Sequence, residues 1–331
     1  MFIKDKIYGK FKIEEPVLVD LIKSVPIQRL KGISQYGYSE PFHPKTDFSR
    51  FEHSIGVFLL LRKYNASLEE QVAGLIHDVS HSAFSHCIDY ISKTGSGKTQ
   101  GHQDNIFNEF VKNSEIPKIL KKYKISLDYI LDDKNFPLKE KLLPDLCADR
   151  LDYTLRAIFN TKLISSQSLQ GLLNNLLVFK NNWVFKDLKS AELYANLFKK
   201  LNSKYYAHID AAVMHQSVGE YLSQAISKEY ISYQDLYTTD KEVLNKIKKY
   251  HKNDAKLQYL FAKMNNKIAY KNSPNNYDYR VHVKSRIVDP LFFDGEKIKR
   301  LSNKINKWQK IIRDELKPKT YYIKYFTKKQ P

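Results

Sequence analysis

The 331-residue chain has little cysteine, glycine or proline. It contains two cysteines, Cys87 and Cys147, and only 11 glycines and 11 prolines. Two cysteines that lie far apart in sequence do not form a disulfide framework, and such sparse usage is typical of a reducing compartment. Low glycine and proline content, together with 13% aromatic residues, excludes low-complexity disorder. The composition therefore indicates a folded chain.

The sequence also lacks targeting and membrane-spanning segments. Its first residues contain no basic stretch followed by an apolar run, and no later run of about 18 apolar residues occurs. We therefore predict a soluble cytoplasmic protein without a membrane partner. The formal net charge is +19. Clustered lysines would concentrate nucleotides or nucleic acid, whereas lysines scattered over solvated helix faces would have no such role.

Helical periodicity dominates the chain up to residue 240. Apolar residues recur at three- and four-residue spacing, which predicts helices. These segments include 14–35, 53–64, 68–91, 106–111, 116–123, 142–158, 191–204 and 207–226. After residue 240 the pattern predicts helices at 244–250, 255–264 and 295–315, and strands at 279–284 and 320–326. We predict a mainly α fold: a helical bundle, 1–240, and a small, basic, mixed α/β C-terminal lobe, 241–331.

Histidine and aspartate occur as an adjacent pair, His77-Asp78, inside an apolar helical segment. A buried imidazole and carboxylate are costly to desolvate without partners, and a cation is one such partner. A hydrogen-bonded structural pair would look the same. His53 upstream and Asp149 downstream add two further ligand types. Imidazole with carboxylate suits iron, manganese, magnesium, cobalt or zinc, so the sequence predicts a divalent metal without naming it.

Several motifs in order resemble the HD superfamily of metal-dependent phosphohydrolases. The order His, His-Asp, Asp is its metal signature, and the flanking residues resemble its deoxynucleoside triphosphohydrolase branch. That branch includes enzymes that also carry a sterile alpha motif, which this chain lacks. The resemblance spans roughly the first 160 residues and implies an HD-domain helical bundle. Matching segments are 3–9, 28–35, 50–57, 77–86, 101–103 and 149–153.

The resemblance also implies a role for each matching position. The implied metal ligands are His53, His77, Asp78 and Asp149. The implied substrate-binding residues are Gln35, Arg50, Arg150 and Tyr153. The implied catalytic residues are His81, His86, and the dyad of Asp89 with His102. These implied roles agree with the chemistry, because a metal activates water, cations neutralise phosphate charge, and imidazole can protonate a leaving alkoxide.

The sequence departs from that branch at positions that concern the substrate. Gln103 follows His102 where glutamate is common, and Ala157 stands where the branch often has a carboxylate that helps to read the sugar or base. Where the branch has an arginine for the outer phosphates, the chain offers only lysines, which act as point charges without a bidentate fork. These are Lys199, Lys200 and Lys204.

The leading prediction is a homo-oligomeric nucleotide phosphohydrolase that converts a deoxynucleoside triphosphate to deoxynucleoside and triphosphate. One alternative is an HD phosphomonoesterase or phosphodiesterase that acts on modified or cyclic nucleotides. Another is a nucleic-acid-binding protein in which the HD pocket is structural and the basic surface binds the partner.

Overall fold

The computed structural model describes residues 1–92 and 95–326. Within them the chain forms fifteen α-helices and nine β-strands. The helices are α1 (Pro16–Lys23), α2 (Val25–Arg29), α3 (Arg50–Lys63), α4 (Leu68–Ile76), α5 (His102–Lys112), α6 (Ile116–Lys122), α7 (Leu127–Leu131), α8 (Ala148–Asn160), α9 (Ser166–Asn174), α10 (Leu188–Leu201), α11 (Ile209–Ser227), α12 (Asp240–Lys248), α13 (Ala255–Met264), α14 (Leu301–Lys304) and α15 (Asn306–Glu315). The strands are β1 (Phe2–Asp5), β2 (Gly9–Lys12), β3 (Leu176–Phe179), β4 (Asn182–Phe185), β5 (Ala269–Asn272), β6 (Tyr279–Val283), β7 (Leu291–Asp294), β8 (Lys297–Arg300) and β9 (Lys319–Phe326). The predicted mainly α fold is confirmed, and residues 327–331 of the predicted lobe lie outside the described residues.

Helix α3 lies at the centre of the helical body, where it packs against α4 and α8. A capping box begins it: the Ser49 hydroxyl accepts from the Glu52 amide, and the Glu52 carboxylate accepts from the Ser49 amide. All residues from 53 to 61 are buried. A helix that is buried on every face lies inside a domain rather than on its surface. Helix α3 thereby carries His53 into the core.

Three small sheets accompany the helices. Strands β1 and β2 form a hairpin, and β5, β9 and β6 form an antiparallel sheet in which β9 is central. The third sheet has the order β3-β4-β7-β8, and its parallel pair β4 and β7 joins the helical body to the C-terminal lobe. Among the described residues, no helix has both the length and the apolar character that a membrane crossing requires.

Two predicted helices differ in kind from the observed elements, and a third, 142–158, begins only at Ala148. The predicted helix 68–91 ends at Ile76, and a separate 3₁₀ helix covers Ser85–Tyr90. Phe84 and Ser85 have φ angles of 60° and 45°, which a continuous right-handed helix does not allow. The predicted helix 295–315 begins instead with strand β8, because Gly295, at φ 71°, turns the chain back onto β7.

Candidate active site

A cavity of about 890 Å³ opens between the helical body and the segment that follows β6. Side chains from α3, the end of α4 and the start of α8 line its floor. Three of the predicted site residues, His53, Asp89 and His102, are buried close to it. The other nine predicted site residues line the cavity: Gln35, Arg50, His77, Asp78, His81, His86, Asp149, Arg150 and Tyr153.

Three of the predicted metal ligands meet at one point of this floor. His53 comes from α3, His77 directly follows α4, and Asp149 lies in the first turn of α8. The Nε2 atom of His53 lies 2.8 Å from Asp149 Oδ1 and 3.2 Å from Nε2 of His77. His77 Nε2 lies 3.6 Å from the same Asp149 oxygen. The three ligand atoms therefore lie close enough together to hold one ion.

The hydrogen bonds behind the two imidazoles define which nitrogens face each other. His77 Nδ1 lies 2.8 Å from the carbonyl oxygen of Gly74, and His53 Nδ1 lies 2.8 Å from Asp152 Oδ2. Both partners are acceptors, so each Nδ1 carries a proton and each Nε2 faces the shared point beside Asp149. Burial opposes a positive charge on His53, but its hydrogen bonds to Asp149 and Asp152 raise its pKa to about 9, so His53 Nε2 carries a proton at neutral pH that a bound metal would replace. This donor set fits a divalent metal.

Asp78 lies at the edge of the same cluster. Its carboxylate oxygens are 3.8 Å from His53 Nε2 and 3.5 Å from His77 Nε2. Arg50 donates to Asp78 Oδ2 over 2.7 Å. Burial opposes ionisation of Asp78, but the Arg50 guanidinium and the imidazoles hold its pKa well below the usual range. Asp78 is therefore a carboxylate, the form that a metal requires.

Two further histidines stand beside the cluster. The rings of His81 and His86 meet edge to face, with 5.1 Å between their centroids. His81 Nε2 lies 3.3 Å from Asp78 Oδ1, and His86 Nδ1 lies 3.2 Å from Asp89 Oδ2. Burial lowers the pKa of His81 to about 4 and that of His86 to about 3. Both imidazoles are neutral at pH 7 in this state.

The predicted dyad of Asp89 and His102 takes a different form in the structure. His102 is the first residue of α5, and Asp89 Oδ1 accepts from its backbone amide over 2.9 Å. Amides of a first helical turn need such acceptors. The His102 imidazole instead contacts Ser92 Oγ at 3.1 Å and the Tyr237 hydroxyl at 3.0 Å. The imidazole that shares a hydrogen bond with Asp89 is that of His86.

The predicted substrate-binding residues differ in their free hydrogen-bonding capacity. Arg50 donates to Asp78, to Ser85 Oγ and to the Gln35 carbonyl, which uses three of its five N–H groups. Within the described part of the chain, Gln35 Oε1 and Arg150 Nε are buried without a partner. Both residues line the cavity, and the Arg150 guanidinium donates to the Asp145 and Lys141 carbonyl oxygens and lies 3.5 Å from Glu140.

Two cationic residues of the cavity wall were not predicted from the sequence. Lys284 and Arg286 directly follow β6 and line the cavity. Their spacing of two along an extended chain places both side chains on one face, which was the available signal. Among the lysines that sequence position suggested, Lys204 packs its ammonium over the Tyr205 ring, 5.4 Å from the centroid.

Comparison with known proteins identifies the helical core. A family model described as HD domain matches residues 50–157. The uncharacterized protein YdhJ of Bacillus subtilis is 37% identical over 329 residues, which cover 98% of this chain and 99% of that protein. The metal-dependent phosphohydrolase cns2 of Cordyceps militaris is 39% identical over 180 residues, which cover 54% of this chain and 51% of that protein.

More distant relatives extend the comparison. A deoxynucleoside triphosphate triphosphohydrolase SAMHD1 homolog of Dictyostelium discoideum is 26% identical over 233 residues, which cover 62% of this chain and 44% of that protein. A crystal structure of a phosphohydrolase from Bacteroides thetaiotaomicron superposes with a TM-score of 0.70 at 18% identity. It covers 98% of this chain and 99% of that one, so the likeness in fold includes the C-terminal lobe.

Proposed function

Because the chain belongs to the HD-domain family of metal-dependent phosphohydrolases, we propose that it hydrolyses deoxynucleoside triphosphates to deoxynucleoside and triphosphate. One observation carries the proposal. The Nε2 atoms of His53 and His77 and the Asp149 carboxylate converge on the floor of a cavity of about 890 Å³ whose walls carry the cationic side chains of Arg150, Lys284 and Arg286. Pockets of this size class hold nucleotide-sized ligands.

The residues present fit the divalent metal that this family uses. His53, His77, Asp78 and Asp149 would hold it, and a bound metal lowers the pKa of water and polarises a phosphoryl oxygen. Asp152, behind His53, fixes the tautomer that leaves Nε2 free to bind.

Proton handling falls to the pair of His86 and Asp89. Asp89 accepts from Nδ1 of His86, so Nε2 of His86 is the nitrogen that takes up and returns a proton. Burial and the positive charge of Arg50 disfavour the imidazolium in this state. An anionic phosphate beside the ring would raise the pKa of His86, because a negative charge stabilises the imidazolium. Substrate binding would thus prepare His86 to protonate the leaving 5′ oxygen.

Aromatic side chains support a nucleoside site beside the metal. Tyr153 lies 6.3 Å from the His53 ring and 5.9 Å from Tyr206, measured between centroids. Ala157 lines the cavity and supplies no carboxylate. A carboxylate that lines the same cavity comes from Asp210 in α11, where the Tyr270 hydroxyl donates to it over 2.6 Å.

Product analysis tests the proposal. Purified protein is incubated with a panel of deoxynucleoside triphosphates and Mn²⁺ or Mg²⁺, and the products are resolved by anion-exchange chromatography. We expect deoxynucleoside and triphosphate in equal amounts. His77→Gln should abolish the reaction, whereas His251→Gln, which removes the imidazole that contacts Tyr221, should retain it. Stepwise orthophosphate release or cleavage of a cyclic nucleotide would favour the phosphomonoesterase or phosphodiesterase alternative. If no nucleotide is hydrolysed, the proposal is wrong.

A further inference from the structure

We propose that Lys284 and Arg286 of the C-terminal lobe bind the phosphate groups of the substrate that lie beyond the metal, and so select a polyphosphate over a single phosphate. This inference rests on the proposed function, since it names the substrate class of the same cavity. It makes the segment after β6 part of the substrate site, although the HD-domain match ends at residue 157.

The segment that carries these two cations is fixed to the helical body. The Arg286 amide donates to Asn202 Oδ1 over 3.0 Å, and Asn202 Nδ2 donates to Ser285 Oγ over 2.9 Å. Asn202 is fully buried at the start of the π-helical turn Asn202–Tyr206. Ser285 is buried, while its two neighbours line the cavity, as alternation along an extended chain requires. The backbone that carries the two cations is therefore fixed to the helical body.

Neither cation has a carboxylate partner in the described part of the chain. Lys284 Nζ makes no hydrogen bond or ion pair with residues 1–92 or 95–326. Arg286 donates to the neutral amide oxygen of Gln100 over 2.8 Å. Both side chains are half-buried, and a partly desolvated cation without a counterion is destabilising. An anionic ligand would supply that counterion.

The charges around Lys284 support the same conclusion. Burial, followed by repulsion from Arg286, lowers the pKa of Lys284 to about 8. Arg150 repels the ammonium as well, and Asp104 and Glu140 attract it. Burial raises the pKa of both carboxylic acids. Positive charge dominates this wall.

The number of cations indicates a ligand with several phosphates. Arg50 pairs with Asp78 next to the metal cluster, so part of its charge is already matched there. Lys284 and Arg286 provide cationic groups apart from the metal cluster. A monophosphate or a cyclic nucleotide held at the metal would leave them unmatched. The additional phosphates of a triphosphate would supply anionic partners for them, and charge-assisted bonds to phosphate are strong.

Binding of inorganic tripolyphosphate and of orthophosphate tests the inference by isothermal titration calorimetry, with Mg²⁺ in excess. We expect wild-type protein to bind tripolyphosphate at least about tenfold more tightly than orthophosphate. Lys284→Met and Arg286→Gln should each weaken tripolyphosphate binding by about tenfold or more, because each removes a charged donor. Arg280→Gln, an exposed position on β6, and Lys189→Met, an exposed position on α10, are matched controls that should bind as wild type does.

Lys284→Arg separates charge from folding, since it should retain tripolyphosphate binding if the ammonium acts through its charge. Wild-type affinity in both Lys284→Met and Arg286→Gln would overturn the inference, as would equal wild-type affinity for the two anions. The readout needs no turnover. A protein that binds tripolyphosphate through these residues and hydrolyses no nucleotide would refute the proposed function and leave the phosphate site intact.

Discussion

Asp152 is the residue whose replacement most directly tests the architecture of the metal site. It is fully buried, and three donors point at its carboxylate. These are His53 Nδ1, the Tyr8 hydroxyl and Arg156 Nε, each at 2.8 Å. Asp152→Asn preserves the shape of the side chain but replaces one acceptor oxygen with a donor. At least one of the three donors then faces an N–H group.

The magnitude follows from these contacts. Arg156 keeps a second carboxylate, because its NH2 group donates to Asp5 over 2.7 Å, so no cation becomes wholly unpaired. The loss of unfolding free energy is thus smaller than the roughly 3–5 kcal/mol typical of a broken buried ion pair. We expect the free energy of unfolding to fall by about 2–3 kcal/mol, since one buried donor loses its charged acceptor. Metal affinity should fall about 10- to 100-fold, because His53 is no longer held in the binding tautomer.

Two measurements check this prediction: metal affinity by competition with a chromophoric chelator, and stability by urea unfolding of the metal-free protein. Asp289→Asn is the matched control. Asp289 is a buried carboxylate that accepts from the Ser302 amide at 2.9 Å and its hydroxyl at 2.7 Å. This control should lose stability and keep its metal affinity. Wild-type metal affinity in Asp152→Asn would refute the assigned role of Asp152.

Three further outcomes follow from the same structure. Gly56→Ala places a methyl group against the Asp152 carboxylate, so it should lower both metal affinity and, by about 1–3 kcal/mol, the free energy of unfolding in urea. The control Gly171→Ala, whose methyl group would have nothing within 4 Å, should raise that free energy by about 0.5–1 kcal/mol. The KM for a deoxynucleoside triphosphate should increase as the pH rises through about 8, because Lys284, with a pKa of about 8, loses its charge. Lys284→Arg should flatten that rise, and a pH-independent wild-type KM would contradict the prediction. Free metal at 100 times its Kd should stabilise the protein by about 2.7 kcal/mol, and an equal gain in His77→Ala would place the metal elsewhere.

The metal cluster could be predicted because its residues contrast with their surroundings. His53 and His77 lie in strongly apolar helical segments, where charged or polar side chains need a specific partner. Their order along the chain with Asp149 supplied the resemblance to a metal signature. The structure brings these three side chains to one point. Asp152 shares a helical face with Asp149, but the sequence alone did not reveal that it orients His53.

Lys284 and Arg286, which we propose to bind phosphate, do not contrast with their surroundings in this way. In a chain with a net charge of +19, one more lysine or arginine does not stand out from solvated surface residues. Asn202, far away in sequence, bonds Ser285 and the Arg286 amide, and this tertiary contact is not visible in a local pattern around Lys284 and Arg286. Local patterns also misassigned β8, because Ile298 and Leu301 fit a helical face as well as a hairpin. Pairing of Phe292 with Lys299 decides in favour of the strand.

The C-terminal lobe therefore has a function distinct from that of the HD core. The groups that we assign to metal binding and proton transfer all lie in the first 160 residues, whereas two of the cations that face the substrate come from the segment after β6. Parallel pairing of β4 with β7 ties the two parts into one sheet, and residues from both parts line the same cavity. Changes at Lys284 and Arg286 can alter which phosphate ester is accepted without touching the metal ligands. The reaction and the choice of substrate are thus encoded in different parts of the chain.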